Sequence, residues 1–158
     1  MMTIKKLILI MLLIVTIAYF GPYLYRHHLT TQARFNVEAL GRYVRSYHLV
    51  TGEPLPRLSG LPNIRLVSPS NSLSFKSEDV KSGISRGYSY DLKPIDEKRF
   101  VISASPLSGS FAEFGMTEDM NLRVNIHQMD PEPDSYDEVK KWPIIPSLYS
   151  IITDIESS

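Results

Sequence analysis

The chain reads as an α+β protein in which a long N-terminal helix, transmembrane and then amphipathic, packs on a small antiparallel sheet of three or four strands. Three observations predict this. Leu7 to Tyr25 is apolar and uncharged, directly behind Lys5 and Lys6. From Thr30, Ala33, Val37, Leu40, Val44 and Tyr47 alternate spacings of four and three, which places them on one helical face. Beyond Gly87, short segments of alternating polarity are separated by turn residues, as antiparallel strands are.

Composition sets limits on partners and chemistry. The 158 residues suffice for the apolar segment and one small core. With 17 basic and 17 acidic side chains the net charge is zero, so the chain lacks the basic footprint that neutralises phosphates, and nucleic acid is not an expected partner. Cysteine is absent, which removes disulfides, thiolate nucleophiles and cysteine-held zinc or iron–sulfur centres.

Residues 1–6 form a short basic tail and residues 7–25 the spanning helix. At 1.5 Å per residue that helix is roughly 28 Å long, about the thickness of a bilayer's hydrocarbon core. Tyr19, Tyr23 and Tyr25 suit the depth of the headgroups, and Gly21-Pro22 predicts a break in the helix. The rival reading is a signal peptide cut after Ala18, releasing a secreted soluble domain, but the apolar run continues past that point. A short tail with a basic pair ahead of the span, opposite a larger C-terminal portion, favours a cytoplasmic N-terminus.

Residues 26–128 are expected to form the extracytoplasmic domain. The helix from Thr30 to Val50 carries its apolar stripe on one side, with Phe35 and Tyr43 off that seam. Gln32, Arg34, Asn36, Glu38, Arg42 and Arg45 make a solvated face, and Gly52 is the stop. Prolines 54, 56 and 62 make the next stretch irregular. Serines 68, 70, 72, 74, 77, 82 and 85 mark a polar connection with a short helical turn near Ser77 to Val80. Tyr88, Tyr90 and Leu92 alternate with polar residues, and Pro94 to Glu97 turns the chain into Arg99 to Ala104, a hairpin. After the loop Ser108-Gly109-Ser110, Glu113 to Thr117 and Leu122 to Ile126 are joined by a turn in which Asn121 can adopt the left-handed conformation.

Residues 129–158 differ in character. Asp130, Glu132, Asp134 and Asp137 form an acidic, proline-stiffened run with the oxygen chemistry that calcium takes, although its spacing fits no EF-hand. The competing reading is a solvated turn whose carboxylates favour the N-terminus of a short helix capped by Ser135 with Glu138. Leu148, Ile151, Ile152 and Ile155 repeat at helical spacing after Pro146 and predict a terminal amphipathic helix, with a covering strand as the alternative; together with Trp142 they are the candidate partner contacts, against simple burial over the sheet or the stalk. No cofactor and no catalytic residue is indicated. His27 and His28 sit at the membrane edge, His48 and His127 lack ligand spacing, and no nucleophile elbow or phosphate-binding loop is present.

The order of anchor, amphipathic helix, loop and sheet resembles type IV pilins and the pseudopilins of type II secretion. Pro22-Tyr23 is similar to that family's proline-containing stretch in the helix. Gly87-Tyr88-Ser89-Tyr90-Asp91-Leu92, Phe100 to Pro106 and Phe114 to Val124 resemble motifs of pilin-like periplasmic domains. The family cleaves at a glycine followed by phenylalanine and keeps a glutamate in the apolar helix to pair with a neighbour's amine. Here no Gly-Phe precedes the span and Leu7 to Tyr25 holds no acid. The resemblance implies a non-enzymatic, single-pass inner-membrane protein with a periplasmic domain, partnered by the lipid bilayer and by other envelope proteins or itself. The alternative function is a membrane-tethered enzyme or small-ligand binder, for which a cleft with convergent polar groups is required.

Overall fold

One helix, α1 (Ile4–Thr51), runs without interruption through both helical segments, and Pro22 lies inside it. The expected break at Gly21-Pro22 does not occur. A proline removes one amide donor and crowds one preceding carbonyl, and the apolar turns on both sides keep the remaining rungs. Thr16, Thr30 and Thr31 fold their hydroxyls back onto the carbonyls of Leu12, Arg26 and His27, so these side chains satisfy themselves within the helix. Gly52, at φ +66°, ends α1 by donating its amide to the His48 carbonyl.

The computed structural model describes residues 4–54, 57–60, 82–108, 112–126 and 135–148. After α1 come a single 3-10 turn (Leu58–Gly60), β1 (Ile84–Ser85), β2 (Tyr88–Pro94), β3 (Phe100–Pro106), β4 (Glu113–Thr117), β5 (Arg123–Asn125) and α2 (Tyr136–Lys141). The expected helical turn near Ser77 lies outside the described residues.

The sheet has five strands, not three or four, ordered β1-β2-β3-β4-β5 with every neighbour antiparallel. The added strand, β1, falls at the end of the serine-rich stretch read as a connection. Two residues are too few to show alternation, so only pairing with β2 reveals it. The β2–β3 hairpin forms as expected, with Tyr90 opposite Ala104 and Leu92 opposite Ile102. In the β4–β5 turn the positive φ belongs to Met120, at 61°, and not to Asn121. Asp119 caps that turn by accepting from the Asn121 amide, while the Met120 side chain packs onto the core, which offsets its backbone strain.

One face of the sheet lies on α1. Tyr88, Tyr90, Leu92, Ile102, Ala104, Phe114 and Met116 join Ala33, Val37, Leu40 and Val44 in the main core. The helix buries more than its apolar stripe: Phe35, Gln32, Asn36 and Glu38 are also buried. The expected solvated face holds at Arg42 and Arg45, which are exposed, and fails at Gln32, Asn36 and Glu38: Arg34 and Glu38 are met by the chain after α2 as it returns across α1, and Asn36 is turned to the sheet. Arg34 donates to the Pro146 carbonyl, and Asn36 donates to the Tyr90 hydroxyl oxygen.

The second face carries a smaller cluster in which Val139 of α2 and Trp142 pack on Val101. Gly115 makes this possible. A β-carbon there would come 2.6 Å from Val139 Cγ1 and 3.0 Å from Trp142 Cζ3. Gly115→Ala is therefore expected to destabilise the domain by about 1–3 kcal/mol through overpacking, with a red shift of Trp142 emission as its ring is displaced.

Candidate functional site

The most distinctive division in the molecule is along α1. Its residues from Ile4 to Phe20 and from Pro22 to His28 are exposed, Gly21 is half-buried, and burial begins at Leu29. The N-terminal half of α1 is long and apolar enough to cross a membrane. Its exposed face includes Leu12, Ile14, Phe20 and Leu24, large side chains that remain more than half exposed.

The segment after α2 forms a strap over the domain. Pro143 accepts from the Val124 amide, the Ile145 amide donates to the Leu122 carbonyl, and Ile144 bridges Arg123, so the strap lies antiparallel beside β5 and closes that edge. It then crosses to α1, where Glu38 receives it. The Ser147 hydroxyl donates to Glu38 Oε2 at 2.7 Å and the Leu148 amide to Oε1 at 2.8 Å. Glu38 is only 2 % exposed, and the two donors are what make a buried carboxylate tolerable there. Next to this clasp is a cleft of about 610 Å³ lined by Glu38, Arg42, Arg45, Ser46, Leu49, Met116, Met120 and Ser147. Its lining combines thioethers, an aliphatic side chain and two guanidinium groups around a carboxylate already engaged by the strap.

A polar network secures α2 to the β4–β5 turn. Arg123 Nη2 donates to Asp119 Oδ2 at 2.6 Å and Nη1 to Oδ1 at 2.9 Å, a two-pronged pair at a guanidinium only 5 % exposed. Lys140 of α2 reaches Glu118 at 2.9 Å, and the Tyr136 hydroxyl donates to the same carboxylate at 2.5 Å. Both Lys140 and Arg99 lie over the Tyr136 ring. The Arg123 guanidinium holds the Asp119 carboxyl far below its ordinary range. For Glu118, burial pushes the pKa up, but the Tyr136 and Lys140 donors outweigh it and leave the group lowered. Donating to the Glu118 carboxylate raises the Tyr136 phenol.

These shifts have a definite sign. A carboxyl whose pKa is depressed in the folded state contributes stability that is present above its unfolded value and lost as pH falls through the folded one. Thermal midpoints of the detergent-solubilised protein are thus expected to hold from neutrality down to about pH 4 and to fall below it. Asp119→Asn should flatten that acid limb, although the exposed Asp96, held down to about 2 mainly by the Arg99 amide, adds its own share.

The candidates from the sequence are not gathered at one place. Asp137 lies exposed in the first turn of α2, which Ser135 caps by accepting from the Glu138 amide. Asp130, Glu132 and Asp134 lie outside the described residues, as do Ile151, Ile152 and Ile155. Among the described residues no group of three or more His, Asp or Glu side chains is placed to hold a metal ion. Trp142 is 8 % exposed and packed within the domain. Leu148 packs against the main core at the end of the strap. His27 and His28 are exposed where the apolar half of α1 ends. Glu38, like Gln32 and Asn36, is put among solvated positions by helical periodicity and is buried instead. Only its ring of apolar neighbours Val37, Ala39 and Leu40 hints otherwise.

No protein-family model, no curated protein and no solved structure matches this chain.

Proposed function

We propose that this chain is a single-pass inner-membrane protein whose pilin-like, non-enzymatic domain is held on the periplasmic side and serves as a component or accessory of a secretion- or pilus-type assembly. One observation carries the reading: a single uninterrupted helix is exposed and apolar in its first half and built into a five-stranded antiparallel domain in its second. An unbroken helix couples the domain rigidly to whatever surrounds the apolar half, which suits a subunit that must present a surface at a set height above a membrane. The motif segments noted in the sequence fall on consecutive strands, the first on β2, the second on β3 and the third across β4 and β5. The lack of an acid in the span removes the charge pairing that pilins use to polymerise, which points to an accessory position instead of a major filament subunit.

The test is membrane retention followed by partner capture. Full-length protein is expected to stay with carbonate-washed membranes, to expose the domain to protease from the periplasmic side only, and to crosslink in cells to secretion or pilus components. A soluble periplasmic product starting at Tyr19 would refute the anchor. Membrane retention with crosslinks to itself alone would refute the assembly role while leaving the anchor standing.

A further inference from the structure

We infer that the end of the sheet nearest the apolar helix is a membrane-docking rim that rests on the bilayer surface and binds anionic phospholipid headgroups. This rests on the reading of Leu7 to Tyr25 as a span and adds a lipid-binding surface to the domain itself.

The direction of the sheet relative to α1 is settled by contacts. Leu29, the first buried residue of α1, lies against the β1–β2 turn, with a β-carbon at Gly87 coming 3.9 Å from Leu29 Cδ1. Gly41, three turns on, meets Met116 and Met120 at the other end of the sheet. The β1–β2 turn, the end of β3, the start of β4 and the end of β5 therefore share the end next to the apolar half: Tyr88 pairs with Pro106, and Glu113 with Asn125.

Four exposed side chains from three segments lie along this end of the sheet. Arg86 occupies the tip of the β1–β2 turn, Leu107 follows β3 with its amide on the Gly87 carbonyl, and Ile126 follows β5. Ile84 flanks them on the edge strand. Leu107 is 54 % and Ile126 72 % exposed. Arg86 holds φ +47° and Gly87 +82°, the paired positive angles of a tight hairpin turn in which asparagine or glycine sits with less strain than arginine.

The spacing fits a bilayer surface. Arg26, His27 and His28 separate Tyr25 from Leu29, a rise of roughly 6 Å, close to the depth of one headgroup layer. Among the described residues the exposed ionisable groups of this end are Arg26, His27, His28 and Arg86, and the half-buried Glu113 is engaged by Asn125. The opposite end carries the mixed turn Asp96, Glu97, Lys98 and Arg99. Cationic tips beside apolar ones, continuous with a span, match a headgroup layer, where guanidinium groups meet phosphates and aliphatic tips enter the interface.

The absence of cysteine permits clean labelling. Full-length protein carrying Leu107→Cys, Ile126→Cys, Ile95→Cys or Ile14→Cys, each with an environment-sensitive fluorophore, is reconstituted into phosphatidylcholine vesicles with or without phosphatidylglycerol and a lipid-borne quencher. Labels at 14, 107 and 126 are expected to be quenched and the label at 95 spared, with stronger quenching at 107 and 126 when phosphatidylglycerol is present. Arg86→Gln should lower the docked-to-undocked ratio about five-fold, and Arg86→Lys should restore much of it. Quenching at 14 with labels at 107 and 126 as exposed as 95 overturns the docking and leaves the span intact, whereas no quenching at 14 overturns the span. Protection at 107 and 126 that ignores phosphatidylglycerol and Arg86, or that rises with protein density in the vesicle, assigns the rim to protein contacts and overturns the proposal.

Discussion

Asp119→Ala lowers the stability of the domain by about 3 kcal/mol, the lower end of the range for breaking a buried ion pair, because Asp119 keeps 28 % exposure while Arg123 keeps only 5 %. The loss comes mostly from Arg123. Its guanidinium is left charged beside Thr117, Asn121 and the sheet, with the Asn121 carbonyl as its remaining acceptor. Urea unfolding of the detergent-solubilised protein, followed by Trp142 fluorescence, measures this directly, since the single tryptophan sits on the face that the network secures. Adding Arg123→Met to Asp119→Ala should recover most of the loss, because an apolar side chain of similar length removes the stranded charge. If the double variant is no more stable than the single one, then the pair acts by shaping the turn and not by neutralising a buried cation.

Leu40→Ala is expected to cost about 3–4 kcal/mol, in line with fully buried leucines whose cavities cannot collapse. Leu40 is wholly buried in the layer between α1 and the sheet, in one core with Met116, which backbone pairing to Ile102 holds in place. Leu24→Ala provides the contrast. Leu24 is 60 % exposed in the apolar half of α1, so domain unfolding in detergent should change by less than about 0.5 kcal/mol. Equal losses at the two positions would mean that the apolar half packs on the domain, contrary to the division of labour along α1.

The elements that sequence made legible are those whose period is long enough to read. Ala33, Val37, Leu40 and Val44 repeat over several turns and all are buried; Tyr88, Tyr90 and Leu92 repeat over a strand and face the same core. Ser135 and Glu138 announce the start of α2 because capping is local chemistry. Illegible were the features that depend on a distant segment. Strand β1 exists only through its pairing with β2. The strap carries no periodicity of its own, and its placement depends on Leu122, Val124, Arg34 and Glu38, from two elements far apart in the chain. The candidate site was legible to the same extent: Leu7 to Tyr25 is visible to any hydropathy reading, whereas Arg86, Leu107 and Ile126 have nothing in common until folding brings their three segments to one end.

By itself the sequence determined that this protein has an uncharged apolar helix followed by an amphipathic one, an antiparallel hairpin core, and neither cysteine nor a basic excess. Those properties follow from residue type and spacing alone, through the periods of helix and strand and the cost of charge in lipid. Only the tertiary structure decided that the long helix passes Gly21-Pro22 without a break, that Glu38 is a buried clasp and not a solvated side chain, and which end of the sheet adjoins the apolar half. The physical reason is that burial belongs to pairs of surfaces. A carboxylate four residues along from Arg34 looks solvated until a strap from the far end of the domain delivers two donors to it.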